Sequence, residues 1–300
     1  MAEDLLAVLT AIGHVEEVDD GGEPLFVPHE GRLDALKDLQ RVLRRDDPET
    51  GSAKLLLGTW GIVPKTLIPL ILNPNEESSV IIAALRVALM ITAPMEDKIA
   101  QKEEHLRVLR EHKRSLLRND LFAVLVALLT EPLLRLQTGG EGNEQTSSDV
   151  QHVEIVLALI RQLLLIPDGS GAAPTDPYAG LHDTAVRILH EEQVTELLLI
   201  IAQICEEYRH WSVILLDLFY LIFRNETPEL LWAEKSPINF VFDSQQSSID
   251  TSTIAVQQEQ QSSSSSSLSA TAKLLAQEKA SSQALRSGHH PKFYRPVIVK

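Results

Sequence analysis

Residues 80–94 read VIIAALRVALMITAP, and in the twelve positions from Val80 to Ile91 the only polar side chain is Arg86. Two turns or more of unbroken apolar sequence with no period-2 alternation read as a helix that is apolar on all sides, ended by Thr92, Ala93 and Pro94. A helix of that kind has to be covered on most of its surface, so the rest of the chain must supply neighbours on several sides.

Working outward, the neighbours are legible. Towards the N-terminus, Leu33, Leu36, Leu39, Val42 and Leu43 share one face of a helix from Arg32 to Arg45, which Asp46, Asp47 and Pro48 end. A short first helix carries Leu5, Leu6, Leu9 and Ile12, with Asp4 as its expected N-cap and Gly13 as its stop. Two short pieces, Ala53 to Thr59 and Lys65 to Leu72, are separated by Gly61 and Pro64. Towards the C-terminus, Glu96 to Arg118 is strongly charged with a sparse apolar stripe of Ile99, Leu106, Leu109, Leu116 and Leu117. Leu121 to Leu136 is apolar and interrupted at Pro132. The polar stretch 138–149 reads as a loop, then Val153 to Ile166 as a helix, a second loop, Leu181 to His210 broken near His190 to Gln193, and Trp211 to Arg224. Strand signals are nearly absent. Amphipathic helices alternating with buried ones fit an all-α, armadillo/HEAT-like right-handed helical-repeat array, in which each unit buries its apolar face against the next.

Composition agrees. The chain of 300 residues is 44% hydrophobic but only 5% aromatic, the palette of packed helices. Past Phe242 it turns to Gln and Ser, with six serines from Ser262 to Ser267. This implies a helical domain over 1–242, a disordered linker over 243–285 and a short basic segment over 286–300 that re-enters the domain. Residues 243–300 hold six Lys or Arg against four Asp or Glu, leaving 21 against 38 in the rest. So acidic a body does not attract phosphate backbones as a whole, and any nucleic-acid contact has to use a local patch. One cysteine, no secretory leader and a longest apolar run of nine residues, Leu121 to Leu129, point to a soluble protein of a reducing compartment, with no membrane segment.

No motif carries chemistry. Cys205 sits inside an apolar helix, the usual place of an inert thiol. The ten histidines form no metal-ligand spacing, and GGEGNE is no phosphate loop. His182 and Asp183 open a helix, where capping outweighs catalysis as an explanation. Hence no enzyme, cofactor or metal is expected. The segment Glu96 to Arg118 holds seven Lys or Arg and five Asp or Glu, which favours a solvated face of paired charges over a nucleic-acid stripe. Its C-terminal half, with Arg110, Lys113, Arg114 and Arg118, is nevertheless the first candidate for contacts with DNA or a partner. The second is the tail cluster Arg286, Lys292, Phe293 and Arg295, cations beside an aromatic that can hold phosphates and stack on bases.

Several stretches resemble the N-terminal domain of the Timeless family. LLAVLTAIGHVE (5–16) and LDALKDLQRVLRRDDPET (33–50) are similar to its first two helices, and ALMITAP (88–94) to its buried helix. VEIVLALIRQLLLIP (153–167) is similar to a helix in which Gln162 stands where the family pattern has Asn. HDTAVRILHEEQVTELLLIIA (182–202) resembles the next helix pair, and WSVILLDLFYLIFRNETPELL (211–231) keeps a Phe-Arg-x-x-x-Pro-Glu ending at Phe223, Arg224, Pro228 and Glu229. HHPKFYRP (289–296) is similar to a segment beyond the family's variable loop. The resemblance implies a nuclear, non-catalytic scaffold of the replication fork protection complex, acting in fork pausing and checkpoint signalling. It implies a small Tipin-like partner, the replicative helicase and duplex or forked DNA as contacts. It also implies that this chain is the N-terminal part of a longer protein. The alternative is an armadillo-like adaptor or circadian regulator that does not touch DNA.

Overall fold

A computed structural model of the chain describes residues 2–16, 25–94, 101–138, 143–169, 176–206 and 208–227, and of 143–145 the backbone alone. Met1–Asn225 form one compact unit, and Glu226–Lys300 are assigned to a second. The expected domain end at 242, the disordered linker 243–285 and the basic segment 286–300 lie outside the described residues.

Helix α1 (Ala2–Ile12) runs into a hairpin of β1 (Gly13–Glu16) and β2 (Leu25–Pro28), antiparallel with Gly13 opposite Pro28 and Glu16 opposite Leu25. Then follow α2 (Arg32–Arg44), α3 (Ser52–Trp60), a π-helical turn at Val63–Leu67 continuing as α4 (Ile68–Ile71), and α5 (Ser78–Ile91). The C-terminal half comprises α6 (Lys102–Leu116), α7 (Asn119–Thr138), α8 (Asn143–Leu165), α9 (Leu181–Glu191), α10 (Val194–Ile204) and α11 (Arg209–Phe223).

The chain is an all-α helical-repeat protein, and its packing has a period. Helix α2 packs on α5, α5 on α8, and α8 on α11, each partner three helices further along the chain. The helices in between stack at the same spacing: α3 packs on α6, α4 on α7, and α7 on α10. The stacking unit is therefore three helices, the armadillo variant, and not the antiparallel pair that the alternation of amphipathic and buried segments suggests. Helix α5 stands in the middle of the first row with Val80, Ile82, Ala83, Ala84, Leu85, Val87, Ala88 and Ile91 buried, as its all-apolar sequence requires.

Each joint of that row also carries a polar tie. Buried Gln40 of α2 donates Nε2 to the Ala83 carbonyl of α5 at 3.1 Å. Thr92, fully buried at the end of α5, donates to Gln162 Oε1 of α8 at 2.9 Å. Arg161 of α8 pairs with Asp217 of α11 at 2.8 Å, and His210 of α11 meets Glu154 of α8. Such bonds add little net stability, but buried Gln40 and Thr92 would each cost about 1–3 kcal/mol without their partners, so these two fix how one helix sits on the next, whereas the two ion pairs are partly exposed.

Four local readings change. Helix α7 continues through Pro132, whose ring is buried with Leu129, Leu133 and Leu136; core packing outweighs the lost backbone bond. Helix α8 begins at Asn143, ten residues before Val153, inside the stretch expected to be a loop. There Arg135 of α7 grips Asp149 through two bonds of 2.8 Å, so tertiary pairing overrides a polar composition. The hairpin of β1 and β2 is an element the sequence pattern hides in two four-residue strands. It depends on Gly13, because a Cβ there would lie 2.5 Å from the Phe26 ring and 2.6 Å from the Val27 carbonyl oxygen. Asp4 lies inside α1 instead of capping it. By contrast the break expected near His190 to Gln193 is present, with Gln193 held at φ 57 between α9 and α10.

Helix α7 is long and apolar enough, by length and composition, to cross a bilayer. Here it packs between α8 and α10, and its apolar residues join the core. At the far end of the row, Val213, Leu216, Tyr220 and Phe223 on the outer side of α11 are exposed.

Glycine 58 sets how closely α3 approaches α6: a Cβ on Gly58 would lie 2.1 Å from Val108 Cγ1. In an unconstrained helix Gly→Ala stabilises by about 1 kcal/mol. Here Gly58→Ala is expected to lower stability by about 1–3 kcal/mol through overpacking, read as a lower Tm in a circular-dichroism melt. Val108→Ala in the same chain should recover most of the loss, and a melt unchanged by Gly58→Ala would contradict the close approach.

Candidate nucleic-acid and partner surface

Helix α6 divides its charges between two faces. The buried face carries His105, Val108, Leu109, His112, Lys113 and Leu116. Glu104, Arg107, Arg110, Glu111 and Arg114 fall on the opposite side, at intervals of three, four and seven residues. On that outer side Arg107 donates to Glu104 at 2.9 Å and Arg114 to Glu111 at 2.9 Å. Arg118, just beyond the helix, forms a two-pronged bond with Asp120 at 3.0 and 2.8 Å. The hydrogen-bonded carboxylates raise the pKa of all three guanidiniums further. Arg110 differs, since its Nε donates to the neutral Pro167 carbonyl at 3.2 Å. Glu111 has a second anchor in the Tyr178 hydroxyl, 3.1 Å away, which comes from the connection between α8 and α9.

Arg110, Arg114 and Arg118 thus lie on or beside one exposed side, but Lys113 does not. Its side chain is completely buried, with Nζ 2.9 Å from the Ile166 carbonyl oxygen and 2.8 Å from Asp168 Oδ1. Lys113 is a structural group and not a contact for DNA or a partner. The signal was present in the sequence, because Lys113 lies four residues after Leu109 and three before Leu116, on the apolar stripe. Arg286, Lys292, Phe293 and Arg295 lie outside the described residues.

Lys113 belongs to a junction no single motif announces. Asp168 bridges its ammonium and the backbone amide of His182, at 2.9 Å, so a distant carboxylate caps the start of α9. Asp183, the nearer acid in sequence, is exposed. Arg224, at the end of α11, approaches His182 Nδ1 to 3.2 Å. With that nitrogen accepting, the proton sits on Nε2, a buried atom with no partner. Burial lowers the Lys113 pKa against the pull of Asp168. Burial also works to raise the Asp168 carboxyl, but the bonds from Lys113 and the His182 amide outweigh it and hold the group below its ordinary value. Burial, and after it the charges of Arg224 and Lys113, hold the His182 pKa below its ordinary value. The His182-Asp183 and Phe223-Arg224 motifs, 42 residues apart at His182 and Arg224, therefore meet at one point, as Thr92 and Gln162 do elsewhere.

Among the described residues no group of three or more His, Cys, Asp or Glu is placed to hold a metal. An open depression is lined by Leu55, Thr59, Gln101, Lys102, Glu103 and Glu104. Cys205 is half-buried at the end of α10, with Sγ 3.0 Å from the Ala202 carbonyl oxygen.

Rows of helices stacked in threes and tied at their joints by polar pairs define an all-α helical-repeat protein. The family model described as Timeless protein matches residues 26–295, and the chain belongs to that family. The relatives include the protein timeless homolog of Mus musculus, 28% identical over 239 residues that cover 76% of this chain and 19% of the relative. The mating-type switching protein swi1 of Schizosaccharomyces pombe is 24% identical over 252 residues, 79% of this chain and 24% of that protein. The topoisomerase 1-associated factor 1 of Cryptococcus neoformans is 24% identical over 318 aligned positions, 98% of this chain and 27% of that protein. The chain thus spans between about a fifth and about a quarter of the length of these relatives.

Breaking the buried ion pair from one side is expected to cost more than replacing it. Asp168→Ala, which strands Lys113, should lose about 3 kcal/mol in urea unfolding, whereas Asp168→Ala combined with Lys113→Met, which removes both charges, should lose less; the reverse order would contradict the ionic junction. A second expectation concerns acid. His112 is buried, its Nε2 lacks a partner, and burial pushes its pKa down to about 4 from 6.5. Between those values only the unfolded chain takes up the proton, so stability is unaffected above pH 6.5 and falls as pH drops, by up to about 1.4 kcal/mol per pH unit. His182 is shifted in the same direction. Unfolding midpoints followed from pH 7.5 to pH 5 should show this slope, and His112→Leu should flatten it.

Proposed function

We propose that this chain is a non-catalytic scaffold of the replication fork protection complex, acting in the nucleus in fork stability, pausing and checkpoint signalling. The observation that carries the proposal is the Timeless family match over residues 26–295. Its relatives bear names that tie one to mating-type switching and another to topoisomerase 1, an enzyme whose substrate is DNA. A stack of helices suits that role because it offers long exposed faces for several partners at once. The partners are a small Tipin-like protein, components of the replisome including the replicative helicase, and duplex or forked DNA. Phosphates would be held by Arg110, Arg114 and Arg118 of the α6 side and by Arg286, Lys292 and Arg295 of the tail, with Phe293 stacking on bases.

A second reading, an armadillo-like adaptor or circadian regulator that leaves DNA alone, draws on the same surface. Arg107, Arg114 and Arg118 each hold a carboxylate already, and the chain carries a net charge of −15. Binding to a labelled forked duplex at rising salt separates the two. Phosphate contacts give a log affinity that falls linearly with log salt, and an adaptor gives no binding to follow. Arg110→Ala with Arg114→Ala should shallow that slope. In gel filtration the chain is expected to co-elute with a Tipin-like protein, and separate elution would remove that partner from this part of the chain.

A further inference from the structure

We infer that Glu104 and Glu111 autoinhibit the α6 arginines, serving as built-in counter-ions that a phosphate backbone has to displace, with Tyr178 holding Glu111 in place. The inference rests on the reading of this side of α6 as a phosphate-binding surface.

The three-residue spacing places each acid one turn before its arginine. Arg107 with Glu104 and Arg114 with Glu111 are closed pairs at 2.9 Å, while the arginine side chains stay about half exposed. Both guanidiniums are thus within reach of solvent but already charge-matched. Left to themselves, exposed pairs of this spacing are worth only about 0.2–0.5 kcal/mol and open freely. Glu111 is not left to itself. The Tyr178 hydroxyl binds its other oxygen at 3.1 Å, and the Tyr178 ring packs against the core, so the carboxylate is held by Arg114 of its own helix and by a residue 67 positions further along the chain. Its ordering cost is met by the fold before any ligand arrives, which makes it a stronger competitor than an ordinary surface acid.

The chemistry selects for ligand type. One phosphate replacing Glu111 on Arg114 exchanges one anion for another with little gain. A continuous backbone gains from several exchanges at once, because Arg107 and Arg114 are about 10 Å apart along the helix at 1.5 Å per residue, and Arg110 between them donates to a neutral carbonyl. The surface therefore discriminates against single phosphates and phosphopeptides and accepts an extended polyanion. The acids also reduce the net charge released to phosphate, so the wild-type affinity depends less steeply on salt than four exposed arginines would give.

The test uses the full chain and a labelled duplex in fluorescence anisotropy at about 50 and about 200 mM salt. Removing one opposing charge next to the phosphate contact should tighten binding roughly fivefold at the lower salt, so Glu111→Gln and Glu104→Gln are each expected to gain by about that factor and to steepen the salt dependence. Tyr178→Phe should gain less, in the same direction. Asp34→Asn makes the same change of net charge on α2, where Asp34 pairs with Lys37, and should change affinity by under about twofold because exposed charges beyond about 10 Å are screened. Adding Arg114→Ala to Glu111→Gln should abolish the gain. If wild type binds and Glu111→Gln is no tighter than Asp34→Asn, the autoinhibition is overturned while the phosphate surface stands. If neither wild type nor any variant binds in a salt-sensitive way, the phosphate surface falls and the autoinhibition with it.

Discussion

From Val80 to Ile91 helix α5 carries apolar side chains all round except at Arg86, and most of the architecture follows from covering it. Eight of its residues are buried, which requires helices on opposite flanks, and α2 and α8 occupy those places. Helix α8 in turn takes α11 on its other side. Because α2, α5, α8 and α11 are three apart in sequence, the helices between them meet counterparts at the same spacing, α3 with α6, α4 with α7 and α7 with α10. Burial of one apolar helix thus propagates into a repeat, without any repeat in the amino-acid sequence itself.

Apolar burial is non-directional, and it does not determine how one helix is seated against the next. That information lies in the few polar groups within the stack: Gln40 against Ala83, Thr92 against Gln162, and Arg161 against Asp217. Two of the stretches that resemble the Timeless family, around Thr92 and around Gln162, are partners in one of these ties.

Much of this was legible in the sequence. Buried α5, amphipathic α2, the break between α9 and α10, and α11 follow from period 3.6 and from stop signals. Three features escaped for reasons that are physical. Pro132 breaks a helix in isolation but not one with its ring in a core, and the polar start of α8 is held by Arg135, a residue of another helix. The hairpin rests on strands of four residues, too short to show alternation. The candidate surface was read with the same strengths and limits. Reading charge density alone placed Arg110, Arg114 and Arg118 on it, and misplaced Lys113, whose position on the apolar stripe outweighs its charge because Asp168 and the Ile166 carbonyl wait behind it. Tyr178 could not have been found, since its role depends on a contact across 67 residues.

An array whose units touch only their neighbours behaves as a one-dimensional chain of couplings, and its last element frays independently of its first. The meeting of Lys113, Asp168, His182 and Arg224 departs from that pattern. It connects α6, from the second triplet, with the end of α11, which opens the fourth. The end of α11 is thereby linked through His182 and Asp168 to α6, and detaching it breaks the bond between Arg224 and His182. Cooperativity in this fold therefore comes from a short path between distant units as well as from the sum of adjacent contacts.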